Sequence, residues 1–147
     1  MMRESSVDKY NERTASSFIE KLWDVKLFEC AKGYRCDWQI MRKGQHLAFG
    51  EYKCSRKPIK SKGDAYWIDF SKILWLESAV LSTGKPVFLF IEFDEGIFYY
   101  EINVASPRLE TGRFSMRDTA GEANKKPCSH IPIKSLIKLS ENEASPV

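Results

Sequence analysis

The feature that most restricts the fold is a pair of strand-length segments, Tyr34 to Met41 and Gln45 to Lys53, joined through Arg42-Lys43-Gly44. Apolar and aromatic residues in both segments, with a glycine between them, specify an antiparallel hairpin. Side chains two apart on a strand share a face. The triplet Glu51-Tyr52-Lys53, which ends the apolar stretch Leu47, Ala48, Phe49 and Gly50, therefore sends Glu51 and Lys53 to one side and Tyr52 to the other. If Arg42-Lys43-Gly44 is a three-residue loop with Gly44 left-handed, Met41 faces Gln45 and Asp37 faces Phe49, which leaves Asp37 diagonal to Glu51 on one face. A two-residue turn would slip the register by one and divide the carboxylates between opposite faces. The expected grouping thus depends on the turn.

The flanking pattern extends this hairpin into an α/β arrangement. From Asn11 to Trp23, Ala15, Phe18, Ile19, Leu22 and Trp23 recur at helical spacing, with charged and hydroxyl residues opposite. Lys26 to Ala31 reads as a first strand. Beyond a loop containing Pro58 and Gly63, Asp64 is the expected cap of a helix through Tyr66, Trp67, Phe70, Ile73, Leu74, Trp75 and Leu81, stopped by Gly84-Lys85-Pro86. Pro86 to Phe93 is a continuous apolar strand, followed by the turn Asp94-Glu95-Gly96 and the alternating strand Ile97 to Val104. Ala105 to Ser129 is polar and punctuated by Pro107, Gly112, Gly121 and Pro127, so a long flexible loop is expected over 105–129. Ile131 to Leu139 reads as a short strand with a helical turn. Neither a repeat nor a second domain is visible, and residues 1–147 are expected to form one domain with a mixed central sheet flanked by helices.

Composition supports a packed protein: 43% of the 147 residues are hydrophobic and 13% aromatic. No apolar run approaches bilayer length, and Met1 to Glu12 is polar, so a soluble, intracellular, cytoplasmic protein is expected. The four cysteines (Cys30, Cys36, Cys54, Cys128) include no C-x-x-C pair and have two histidines for company, which argues for free thiols in a reducing compartment over a zinc site. A net charge of +3 names no partner. The acid-free run Lys53, Arg56, Lys57, Lys60 and Lys62 is more informative, because it suits a polyanion such as a nucleic-acid backbone. A solvated lysine-rich loop is the plainer alternative.

Mg²⁺ accepts oxygen ligands and keeps several waters, so two carboxylates and a carbonyl are an adequate protein share. Asp37, Glu51 and the carbonyl of Tyr52 could supply them, with Lys53 placed to orient a water activated by the ion. Asp37 as a backbone-bonded turn acid, and Glu51 with Lys53 as a surface ion pair, are the structural alternatives. Trp38, Trp67 and Trp75 could stack on bases, although core packing is the commoner use of such aromatics. His46 and His130 have no recognisable partners.

A leading helix, an aspartate on the second strand, Glu-x-Lys on the third, and then a helix and further strands resembles the PD-(D/E)xK nuclease superfamily. The likeness rests on Asp37, Glu51 and Lys53 and runs from about Asn11 to Val104; Cys36 stands where a proline often precedes the aspartate. It is nearest to small, single-domain members of viral or mobile-element type. The resemblance implies a restriction-endonuclease-like core of αβββαβ order and a DNA-hydrolysing enzyme using Mg²⁺ or Mn²⁺. Asp37 and Glu51 would then bind metal, Lys53 would position water, and Arg56, Lys57 and Lys60 would hold the DNA backbone. Many relatives add a glutamate from the first helix. Glu12 shares a face with Ala15, Ile19 and Leu22 and is favoured over Glu20 on the polar face. DNA is the implied partner, a homodimer is left open, and no membrane association is expected. A non-catalytic nucleic-acid-binding or accessory protein on the same fold is the rival reading. Endonuclease or exonuclease action and strand preference are not encoded in these motifs.

Overall fold

The computed structural model describes residues 6–104, 113–116 and 125–147. Helix α1 (Ser6–Trp23) begins earlier than Asn11 and buries Ala15, Ile19 and Trp23, spaced four apart along one stripe. Strands β1 (Lys26–Glu29), β2 (Trp38–Arg42) and β3 (Gln45–Cys54) follow as an antiparallel meander. A 3₁₀ turn (Ile59–Lys62) leads to β4 (Ala65–Asp69), α2 (Phe70–Thr83), β5 (Val87–Phe93) and β6 (Gly96–Glu101). The rest comprises β7 (Arg113–Met116), β8 (Lys125–Pro132), a 3₁₀ turn (Ile133–Ser135) and β9 (Ile137–Lys138).

The central sheet has the order β1-β2-β3-β5-β6-β9 and is antiparallel except where β5 runs parallel to β3. The parallel step needs a crossover, and α2 lies within it. Covered on both faces, β5 is buried from Val87 to Ile91, which accounts for its unbroken apolar sequence. One face packs Trp38, Ile40, Ala48, Phe88 and Phe90 against Ala15, Ile19 and Trp23 of α1. The other packs Phe49, Leu89 and Ile91 against Ile73, Leu76 and Ala79 of α2. The expected αβββαβ order is present in α1, β1 to β3, α2 and β5, with β4 inserted ahead of α2.

The β2–β3 register differs from expectation in an informative way. Lys43 (φ 50°) and Gly44 (φ 77°) form a two-residue loop with both central residues left-handed, and Arg42 pairs with Gln45. That turn alone would reverse the faces. The register shifts again between Ile40 and Met41, which pair with Ala48 and His46 and leave Leu47 as the extra residue of a bulge. The two slips together move β2 by two residues, so Gln39 rather than Asp37 stands opposite Phe49 and the alternation of faces is preserved. Gly50, opposite Trp38, accommodates this packing: a Cβ there would lie 3.1 Å from both the Trp38 and Phe90 rings.

The start of the second helix is corrected. Tyr66, Trp67 and Ile68 are strand residues of β4, paired with Ile131, His130 and Ser129 of β8. Aromatic and β-branched side chains suit such a strand, and α2 begins only at Phe70, behind Asp69. Its end is as expected: Gly84 is left-handed (φ 71°) and donates its N–H to the Val80 carbonyl at 2.8 Å. Within the expected loop over 105–129, Arg113–Met116 and the chain from Lys125 are paired strands in a second sheet of order β4-β8-β7, while 105–112 and 117–124 lie outside the described residues. Among the described residues no helix is long and apolar enough to cross a membrane.

Candidate active site

The alternation of β3 directs Glu51 and Lys53 toward α2, and Tyr52 toward α1. Glu51 is 3% exposed, an unusual position for a carboxylate. Its Oε1 accepts a 2.7 Å ion-paired hydrogen bond from Lys72 Nζ, on the first turn of α2. Its Oε2 is buried and has no hydrogen-bond partner among the described residues. Burial is the chief reason that the Glu51 carboxyl is pushed up to about 7, and the negative charge of Asp37 adds to it against the opposing pull of Lys72 and Lys53.

Asp37 stands one residue ahead of β2. Its backbone N–H donates to the Gly50 carbonyl at 3.0 Å, and its carbonyl accepts from Cys30 N–H at 2.8 Å. Its side-chain Oδ2 accepts the Tyr52 N–H at 2.9 Å. The Asp37 carboxylate therefore occupies the flank of β3 where β2 has ended. A strand residue turns its amide and carbonyl to the same side, so the Tyr52 carbonyl faces that flank as well. The Tyr52 ring points the other way, where its hydroxyl donates to Glu92 Oε1 at 2.7 Å.

A cleft of about 260 Å³ opens beside this group, lined by Lys53, Ile68, Asp69, Ser71, Lys72 and Trp75. Ile68, Asp69, Ser71 and Lys72 are not among the site residues expected from the sequence, and Trp75 counts there only as an aromatic. Lys72 left no local signal because its contact with Glu51 joins α2 to β3, distant in sequence, and Ile68 and Asp69 are strand residues where the sequence pattern predicts helix. Cys30 and Cys36 border the acidic group. Burial first, then Asp37 for Cys30 and Glu51 for Cys36, pushes these thiols up to about 11 and about 12, so both stay protonated at neutral pH and are poor ligands.

Among the described residues no three or more His, Cys, Asp and Glu side chains gather as a metal cage. A hard cation that keeps most of its waters asks for less. The unpartnered Oε2 of Glu51, near the Asp37 charge and on a strand whose next carbonyl is turned to the same flank, fits such an ion.

The structure thus brings together Asp37, Glu51, the Tyr52 backbone and Lys53. Glu12 is half-buried on α1, the helix that covers the opposite face of the sheet. Asp8, one turn before Glu12, forms a 3.7 Å ion pair with Arg56, so this part of α1 lies beside the loop leaving β3. The carboxylate of Glu20 accepts the Leu27 N–H at 3.0 Å and anchors β1. Arg56, Lys57 and Lys60 are exposed on the loop after β3. That loop is fixed to the β5–β6 turn by Asp94 N–H donating to the Lys57 carbonyl and Ile59 N–H donating to the Glu95 carboxylate, each at 3.0 Å. Trp38 is core, Trp67 packs on His130 with centroids 5.1 Å apart, and Trp75 is exposed.

Comparison with known proteins bears on the fold and the family. No curated protein sequence matches the chain. Among solved structures it is similar to Hjc, a Holliday junction resolvase from the archaeal hyperthermophile Archaeoglobus fulgidus, with a TM-score of 0.58 at 9% identity over 90% of this chain and 97% of that one. At such identity the likeness speaks for the fold, which is restriction-endonuclease-like. Residues 2–139 match the family described as "Phage putative PDDEXK endonuclease", and the chain belongs to that family.

Proposed function

We propose that this PDDEXK-type nuclease hydrolyses phosphodiester bonds in DNA with Mg²⁺ or Mn²⁺ held by Asp37, Glu51 and the Tyr52 carbonyl. A bound divalent ion would supply an acidified water and neutralise charge developing on the phosphate. The observation that carries the reading is the buried Glu51 carboxylate, with one oxygen unpartnered, beside Asp37 and on the same strand face as Lys53.

The protein's own groups divide the remaining work. Asp37 accepts the Tyr52 N–H through Oδ2, which fixes its carboxylate on the flank of β3. Lys72 opposes the burial penalty on the Glu51 charge in the absence of a cation, so the carboxyl titrates near neutral pH and not above it. Lys53 Nζ holds the attacking water in line and favours its deprotonated state. Arg56, Lys57 and Lys60 track the DNA backbone, which makes affinity fall with salt. Glu12, on the part of α1 beside the loop leaving β3, would add a further acid, whereas Glu20 is occupied with Leu27 N–H. Residues 1–147 act as one domain in this reading.

Plasmid and oligonucleotide cleavage tests it. Activity should require Mg²⁺ or Mn²⁺, stop with a chelator, and vanish in Asp37→Ala and in Lys53→Ala while both variants keep the wild-type circular-dichroism spectrum. Near-normal turnover in either variant would refute these roles. The 2.7 Å Lys72–Glu51 pair favours one second reading, since an ammonium already neutralises the carboxylate. A DNA-binding accessory protein without metal is that alternative, and it predicts DNA binding with no cleavage under any divalent ion.

A further inference from the structure

Of the tryptophans, Trp23 and Trp38 are buried, but Trp75 is 50% exposed on α2 at the edge of the cleft. Lys72 and Ser71 precede it by three and four residues, so all three side chains lie on one helix flank. The indole is therefore one helical turn from the ammonium that touches Glu51. Across the cleft stands Lys53; the nearly buried Ile68 lines its apolar part, and Asp69 adds an acceptor whose Oδ1 also takes a 4.0 Å hydrogen bond from Cys128 Sγ.

The lining is specific in chemistry. At about 260 Å³ the cleft falls just short of the roughly 300 Å³ at which small-molecule pockets begin, so it suits one planar ring system more than a whole nucleotide cofactor. An apolar wall and an aromatic face ask for a ring, while Lys53 asks for an anion beside it. A nucleobase carried between backbone phosphates meets both demands. In a closed duplex every base is stacked and its faces are covered; only an unpaired base can offer its π face to an indole.

We infer that the α2 wall of the cleft takes an unpaired nucleobase stacked on Trp75, so that the substrate is DNA with single-stranded character beside the cleaved phosphate. The inference names the substrate class of the nuclease proposed above and rests on that reading. Asp69 faces the base as an acceptor for its N–H groups, and Lys53 meets the adjoining phosphate.

Binding of three fluorescent oligonucleotides of one sequence, single-stranded, fully paired, and paired with a short central gap, tests this on the full chain in chelator by anisotropy. The single-stranded and gapped probes should bind more tightly than the closed duplex. Base stacking on an aromatic side chain is worth ~1–3 kcal/mol, so Trp75→Ala should weaken those two probes by about 5- to 150-fold and the duplex by far less. Trp75→Phe should recover most of the loss. Trp75→Ala should also leave Mn²⁺ affinity unchanged, a readout that a general disturbance of the site would move. Equal losses on all three probes, no loss, no recovery with Phe, or no DNA binding by the wild type would each overturn the inference. A chain that shows the Trp75-dependent preference but cleaves nothing with Mg²⁺ or Mn²⁺ would keep the base site and remove the nuclease reading, so the two failures are separable.

Discussion

The two faces of the central sheet are built from the same strands and do opposite things. On the α1 face, Trp23 meets Phe88, Phe90 and Tyr99 with ring centroids 5.1 to 5.3 Å apart, and Gly50 lets Trp38 and Phe90 close over β3. On the α2 face the apolar packing of Phe49, Leu89 and Ile91 gives way, at the end of β3, to Glu51, Lys53 and Lys72 around a cleft. Consecutive residues of β3 divide the labour: Gly50 and Tyr52 belong to the packed side, Glu51 and Lys53 to the polar side. Alternation along one strand therefore lets a costly buried charge sit on a backbone held rigid from behind.

This contrast can be broken most sharply by removing a group from each side. Asp37→Ala or Glu51→Ala should lower cleavage by about 10³-fold or more, as expected when a catalytic centre loses several kcal/mol, without lowering the melting temperature of the chelator-treated protein. Phe90→Ala, on the packed face, should instead cost ~3–5 kcal/mol in urea denaturation. If the site variants unfold the protein, or Phe90→Ala leaves stability intact, the division between faces is wrong.

Glu51→Gln sharpens the comparison through pH. The folded-state carboxyl titrates near 7, above its ordinary 4.5, because burial penalises the charge. The neutral form carries no such penalty, so wild type and variant should be about equally stable near pH 4. As pH rises from the unfolded value through about 7, the wild type loses stability, and at pH 8 the metal-free Glu51→Gln protein should be more stable by up to ~3 kcal/mol. Denaturation midpoints at the two pH values measure it. A smaller effect is expected from Lys72→Met. Loss of the ammonium removes a contribution that lowers the Glu51 titration, so the acid limb of the cleavage profile should move to higher pH. An unmoved limb would show that Lys72 does not act through Glu51.

How much of this was legible in the sequence depended on which contacts were local. Period-two alternation was sufficient to put Glu51 and Lys53 on one face. Asp37 reached the site for a reason the turn residues did not reveal, since a two-residue loop and a bulge at Leu47 compensate each other. A bulge is decided by packing on both faces and leaves no reliable local mark. The strand Ala65–Asp69 was hidden because its partner β8 lies far along the chain, where Lys125, Lys126 and Pro127 look like loop. Lys72 left no local mark either, since its contact to Glu51 exists only in three dimensions.

The most direct test of the central claim, that Glu51 and Asp37 form a cation site, is calorimetric titration of Mn²⁺ into the wild type and an Asp37→Ala, Glu51→Ala double variant between pH 6 and 8. A carboxyl that titrates near 7 must release its proton to bind a metal, so wild-type affinity should rise with pH, with net proton uptake by the buffer that is greatest below pH 7 and absent from the variant. Mn²⁺ binding that is independent of pH, or that persists in the double variant, would contradict the account.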